Sequence, residues 1–346
     1  MPRKISLCLA GFGHAAQAFC RMLLQQESYL LKTHHAQVVV TAIATRSRGA
    51  LIDSGGIDLR GALDEISEKG FLTPAHELQA KSDTLTCIRE SGAQIFIELS
   101  TLSIDDGQPA ISHIESALEL GMHVITANKG PIAWDYHRLK SLADKQERQL
   151  LHETVVMDGT PVFNLVRKTL PGCQILSFKG ILNSTTNFIL EEMEKGRPYE
   201  EAVREAQRRG FAEADPSLDV DGWDAAAKTS ALMNVLMNAH VTPLDIHRTG
   251  IGDITQKELQ SAESKGCKIK LLCEGWVEDG HLRGKVYPAL INRQDLFSTI
   301  DATSSILSLT TDLMGEMCIV ERSPKIEQTA YGIYSDLLTL LNLDSE

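Results

Sequence analysis

Nowhere do the seven cysteines (8, 20, 87, 173, 267, 273 and 318) form a CxxC pair, and their number is odd. That excludes a disulfide framework and a cysteine zinc site, and leaves reduced core thiols of a cytoplasmic protein as the expectation. No run of lysine and arginine is present, and the formal net charge is −12. A protein that grips phosphate backbones needs a basic stripe, so nucleic acid is not an expected partner. No apolar stretch approaches the roughly 18 residues needed to cross a bilayer, so no membrane partner is expected. The apolar run Ile5–Ala10 is shorter than a signal-peptide core and meets a glycine turn at once.

What is present suits a globular chain. At 346 residues it is long for one domain and suits two, each able to bury a core. Residues 5–10 read as a buried strand, followed by Gly11-Phe12-Gly13-His14-Ala15-Ala16 and an amphipathic helix from Gln17 to Gln26. The spacing G-x-G-x-x-A after a strand and before a helix points to dinucleotide binding. Gly11 permits the tight turn, Gly13 lets a pyrophosphate reach the backbone, and Ala16 lets helix and strand pack closely. Strand–helix alternation continues through 38–44, 93–99, 111–120 and 123–127, with a polar helix from Trp134 to Gln149. It predicts a doubly wound parallel sheet.

The second strand also lacks something. It ends in Thr45-Arg46-Ser47-Arg48, with no acid to take a ribose 2′-hydroxyl as an NAD site usually provides. Arginines beside hydroxyls suit a 2′-phosphate, which favours NADP over NAD. Asn128 and Lys129 lie at the carboxyl end of another strand, where α/β sheets place ligand contacts.

Charge is nearly absent again from Ala225 to Leu244, where Lys228 is the only Lys, Arg, Asp or Glu. Just upstream lie Glu213, Asp215, Asp219, Asp221 and Asp224. On a helix, Lys228 shares a face with Asp224, Ala225, Ala231 and Leu232. A lysine on an inward face is costly unless paired or used in proton transfer. The plainer alternative is an ordinary Asp224–Lys228 surface ion pair. In the rest of the second half, 152–156, 174–182, 267–277 and 284–290 read as strands. Segments 162–169, 188–195, 199–209 and 331–342 read as helices.

Together A-N-K-G-P (127–131), E-T-V-V-M-D-G-T-P (153–161), G-I-L-N-S-T-T-N-F-I-L (180–190) and G-F-A-E-A-D-P-S-L-D-V-D-G-W-D-A-A-A-K (210–228) resemble homoserine dehydrogenase. The resemblance covers roughly residues 4 to 250, and the last stretch is its specific signature. It implies an α/β chain with a Rossmann-like dinucleotide-binding domain over 1–135. An α+β catalytic and dimerisation domain with an open mixed sheet follows over 136–320, and 321–346 returns to the first domain. It implies reversible hydride transfer between L-homoserine and L-aspartate 4-semialdehyde with NADP or NAD, in the route to threonine and methionine, by a homodimer. Lys228 is implied as proton donor or base, held by Asp224, with Lys129 a second active-site lysine. Glu213 and Asp219 are implied to take the substrate ammonium, and Thr185 to touch substrate. Gly11 to Ala16, Arg46, Asn128 and Lys129 are implied for the cofactor. Glu153 with carbonyls near Val156, Asp158 and Thr160 is implied for a Na+ or K+ ion.

Departures from the family pattern shape the alternatives. Ser184 stands where many relatives have glycine, and Arg322–Ala330 lacks a glycine turn that relatives carry. They keep open an oxidoreductase acting on another small amino aldehyde or amino acid. A non-catalytic dinucleotide sensor would have no need of the intact Glu213, Asp219, Asp224 and Lys228 set. No regulatory domain is expected after the closing helix.

Overall fold

The computed structural model describes residues 2–73 and 83–343. The chain divides into two packed units, 1–161 with 325–346 and 162–324.

In the first unit β1 (Arg3–Ala10) is buried from Ile5 onward, as a strand covered on both faces must be. The glycine turn leads into α1 (His14–Thr33), β2 (Ala36–Ala44) and a short β3 (Ala50–Ile52). Then come α2 (Leu59–Lys69), α3 (Thr84–Glu90), β4 (Ile95–Glu98), α4 (Ala110–Glu119) and β5 (His123–Thr126). They are followed by α5 (Lys129–Lys145) and β6 (Leu150–Leu151). The sheet order is β3-β2-β1-β4-β5-β6, parallel except where β3 runs against β2. The strand order switches between β1 and β4, where open α/β sheets form ligand crevices at the strands' carboxyl ends. Residue 135 falls inside α5, and β6 pairs with β5, so this unit continues to 161.

Two local expectations are corrected here. The helix placed from Trp134 begins at Lys129, because the Asn128 side chain accepts from the Gly130 N–H and caps it; Asp135 then leaves helical geometry at φ −146°, ψ 28°. The segment 152–156, expected as a strand, is instead a 3₁₀ turn, Glu153–Val155, placed just after the two-residue β6. The Glu153 N–H goes to the Asp336 carboxylate at 3.0 Å, not to a neighbouring strand.

The second unit opens with α6 (Val162–Thr169), β7 (Ile175–Ile181), α7 (Ser184–Glu194) and α8 (Tyr199–Arg208). α9 (Ser217–Val220), α10 (Trp223–Leu236), β8 (His247–Arg248) and α11 (Gln256–Ser264) follow. The long hairpin β9 (Cys267–Glu278) and β10 (His281–Asn292) leads to β11 (Ser305–Thr311) and β12 (Gly315–Glu321). These strands form one mixed sheet, β12-β11-β7-β9-β10-β8, antiparallel but for the β8–β10 pair. One face carries α10: a side chain at Gly275 would meet Phe178 at 2.4 Å and Met233 at 3.1 Å, so this glycine lets helix and sheet approach.

The last described element is α12 (Ile326–Leu343), which packs in the first unit along α1. Ala330, Ile333, Tyr334, Leu337, Leu340 and Leu341 join the core of Leu7, Leu9, Phe19 and Ile43. Its approach to the 153–160 turn is close: a side chain at Gly159 would lie 2.1 Å from the Gln328 carbonyl. The Thr329 hydroxyl donates to the Asp158 carboxylate at 2.7 Å.

Candidate active site

The glycine turn forms the wall of a cleft of about 800 Å³ in the first unit. Gly11, at φ +97°, hands its N–H to the Ala44 carbonyl, and a Cβ there would strike the Leu99 carbonyl at 2.4 Å. At Gly13, the N-cap of α1, an added Cβ would meet nothing within 4 Å. That empty space, at the N-terminus of a 20-residue helix, is the cradle a pyrophosphate requires. Phe12 and Ala16 are buried behind the turn, Ala15 is half-buried and His14 is exposed at the start of the helix. The residues present therefore fit a dinucleotide.

Thr45 to Gly49 line the same cleft. The Thr45 hydroxyl donates to the Gly49 carbonyl at 2.7 Å and accepts from the Arg48 N–H at 2.8 Å, so it is spent on the turn. Arg46, Ser47 and Arg48 are exposed around it. A buried pair not foreseen from the sequence also reaches the cleft: the His113 ring lies 2.9 Å from the Glu98 carboxylate, whose other oxygen accepts from the Ser100 N–H. Nothing in the residue pattern marks His113, because its partner comes from a separate element. Asn128 is buried and donates to the Ser100 carbonyl at 3.1 Å, which ties two strand-end loops together. Lys129, half-buried, opens α5 beside it.

In the second unit the structure gathers Asp219, Asp224 and Lys228 around the corner between β7 and α7. Lys228 donates to the Leu182 carbonyl at 2.6 Å and lies 3.3 Å from the Asp224 carboxylate. Only 16 % of its side chain is exposed, with Ala225, Ala231 and Leu232 fully buried around it. The Asn183 amide donates to Asp219 at 2.6 Å and to Asp224 at 2.9 Å, while its oxygen caps α7 by accepting from the Thr186 N–H. That cap starts the helix at Ser184, earlier than the sequence reading placed it. Thr185 is buried and donates to the Phe211 carbonyl at 2.7 Å. Burial raises the Asp219 carboxyl above its ordinary range, and the nearby Asp224 charge adds to this; the hydrogen bond from Asn183, the neighbouring Thr185 side chain and the Lys228 ammonium work against it. Beneath them Cys273 is buried and its thiol is pushed up to about 12, so it is an inert core group.

Glu213 stands apart from this cluster. It is exposed on the loop after α8, where its carbonyl is held by the Gln207 amide. Asn183 is the residue that sequence reasoning left out. Its tie to both carboxylates depends on residues 36 and 41 positions away, which local pattern does not record.

Glu153 is buried in the first unit beneath α12, with Val156, Asp158 and Thr160 in the turn that follows. Carbonyl and carboxylate oxygens are the donors that hard cations take. Asp158 adopts φ +43°, its carboxylate engaged by Thr329. Among the described residues no cluster of three or more His, Cys, Asp or Glu suits a metal ion.

A dinucleotide-binding sheet and a second unit carrying a lysine set among carboxylates define the class: a nicotinamide-dependent oxidoreductase. A family model described as homoserine dehydrogenase matches residues 161–338, and one for the homoserine dehydrogenase NAD-binding domain matches 11–153. The chain belongs to the homoserine dehydrogenase family, whose members are oxidoreductases acting on a CH–OH group with NAD(P). The homoserine dehydrogenase of Methanocaldococcus jannaschii is 35% identical over 339 residues, covering 98% of this chain and 99% of its own. The NAD(+)-dependent homoserine dehydrogenase of Pseudomonas canavaninivorans is 31% identical over 338 residues, covering 97% and 96%. The crystal structure of a homoserine dehydrogenase from Thiobacillus denitrificans superposes with TM-score 0.84 at 26% identity, over 99% of this chain and 74% of that one.

Proposed function

We propose that the Asp219–Asn183–Asp224–Lys228 cluster is where L-homoserine and L-aspartate 4-semialdehyde are interconverted, with NADP favoured over NAD. The observation that carries this is the near-buried Lys228 amine, held at 2.6 Å by the Leu182 carbonyl and at 3.3 Å by Asp224. When bound, the nicotinamide supplies or accepts the hydride at the carbinol carbon. Lys228 gives a proton to the aldehyde oxygen as charge develops there, and takes it back from the hydroxyl in the reverse direction. Asp224 keeps the amine oriented. Asp219 takes the substrate ammonium, and Glu213, exposed on its loop, closes on the same group. A cation between two carboxylates is fixed in orientation as well as in charge. Thr185 orients the substrate beside Asp219, and Lys129 is a second lysine for the same proton transfer.

Gly11 to Ala16 and Asn128 hold the dinucleotide, with Arg46 on the 2′-phosphate. The relative from Pseudomonas canavaninivorans is NAD(+)-dependent by name, so cofactor choice varies within the family. A Na+ or K+ ion on Glu153 and the carbonyls of Val156, Asp158 and Thr160 would brace the turn that ends the first unit. The chain works as a cytoplasmic homodimer in threonine and methionine synthesis.

The test is oxidation of L-homoserine by the purified protein, with NADP and NAD side by side. Clear turnover with a higher kcat/KM for NADP is expected. In Arg46→Ala the NADP constant should weaken roughly tenfold and the NAD constant little, as for loss of one charge-assisted phosphate contact. Equal weakening of both would remove Arg46 from the phosphate. Ser184 motivates a second reading, a related amino alcohol as substrate, which a higher kcat/KM on another member of such a panel would establish.

A further inference from the structure

The corner between β7 and α7 does more than start a helix. Within two consecutive residues it presents the Leu182 carbonyl to Lys228 and the Asn183 amide to both Asp219 and Asp224. Two carboxylates that share one amide repel each other, and burial sharpens that repulsion. An amide –NH₂ is suited to the position because it has two N–H donors on one nitrogen, one for each carboxylate, and adds no charge. The same side chain's oxygen is locked by the Thr186 N–H at 2.8 Å and by the Thr186 hydroxyl at 2.9 Å. The amide therefore cannot flip without breaking the cap of α7.

We infer that Asn183 is a positioning residue for the reaction, a neutral clamp that holds Asp219 and Asp224 apart at fixed orientations, one toward the substrate ammonium and the other on Lys228. The inference rests on the reading of that cluster given above. The groups facing Asp219 are Asp224 and Lys228 from α10 and Asn183 and Thr185 from the start of α7; Cys273 from β9 lies under Asp224 and Lys228. Without the amide, the two acids lose the donor they share. Asp219 then holds a proton to higher pH and binds a cationic substrate less well.

The discriminating variant is Asn183→Ser. Serine is an equally good N-cap, so it can accept from the Thr186 N–H while lacking a donor that reaches both carboxylates. The melting temperature should stay within a few degrees of wild type. The homoserine KM should rise roughly tenfold with a smaller change in kcat. The acid limb of the kcat/KM profile should move up by about one pH unit. Asn183→Asp, which keeps the cap oxygen but adds a third negative charge, should move that limb further. Lys228→Ala and Asp219→Asn are run in the same series. Wild-type kinetics in Asn183→Ser beside an impaired Lys228→Ala would overturn the clamp alone, whereas wild-type kinetics in every variant would overturn the site reading with it. A lowered melting temperature with unmoved KM and pH profile, or failure of both Asn183 variants to fold, would assign Asn183 to the helix cap only and overturn the inference.

Discussion

At the scale of single residues, Lys228 is set by what surrounds it. Ala225 and Ala231 leave room beside its stem, and its amine donates to the Leu182 carbonyl and lies against the Asp224 carboxylate. Lys228→Ala should lower kcat by two or more orders of magnitude and leave the dinucleotide dissociation constant within about twofold, as for loss of a transition-state proton donor. Single-turnover kinetics with nucleotide titration checks both, and an unchanged kcat would remove Lys228 from the chemistry. Asp219 carries the opposite trade. Its carboxyl is raised in the fold, so the proton it would gain is present in folded and unfolded states alike at low pH. The cost of ionising it appears as pH rises through that raised value. Asp219→Asn should therefore raise the stability of the protein near neutral pH, read as a higher melting temperature. That gain should fade as pH falls into the ordinary carboxylate range, while homoserine binding is lost. Melting curves at neutral and acid pH decide it; a gain that persists at low pH would mean that ionisation is not its cause.

At the scale of elements, the two glycines of the first turn do different jobs that their spacing alone does not separate. Gly11 sits at φ +97° against the Leu99 carbonyl, so Gly11→Ala forces backbone apart and should destabilise the first unit by about 2 kcal/mol or more. Gly13 has φ −77° and open space where a Cβ would go. Gly13→Ala should leave the melting temperature of the apoprotein nearly unchanged and weaken dinucleotide binding at least tenfold, because the methyl occupies the pyrophosphate cradle. Equal melting losses in the two variants would deny Gly13 that role. Helix starts repeat the lesson. Asn128 and Asn183 both cap helices and both reach across to other elements, which a linear reading of N-cap chemistry does not reveal.

At the scale of the whole molecule, α12 returns to the first unit and closes its core. Six of its side chains, Ala330, Ile333, Tyr334, Leu337, Leu340 and Leu341, are at most 4 % exposed. At about 1.5–3 kcal/mol per large apolar side chain, their burial rivals the entire stability of a typical domain. A chain ending at Pro324 should therefore lose dinucleotide binding and the first unit's cooperative melting transition, with dye-binding hydrophobic surface in its place. Retention of both would show that the first unit folds without α12.

Much of this protein was legible before folding. The parallel sheet of the first unit follows from apolar strands alternating with amphipathic helices, and the dinucleotide turn from G-x-G-x-x-A directly after a strand. The near-burial of Lys228 beside Asp224 followed from its isolation in an uncharged segment, since a lone charge on an apolar face needs a partner. Local pattern determined these because periodicity and glycine act over a few residues. Tertiary structure alone decided that Asn183 joins Asp219 to Asp224, that His113 meets Glu98 at the cofactor cleft, that Glu213 is left exposed on its loop, and that β11 and β12 complete the second sheet. Each depends on side chains or strands brought together from distant positions, and neither hydrophobic period nor motif spacing records which distant partner burial will select.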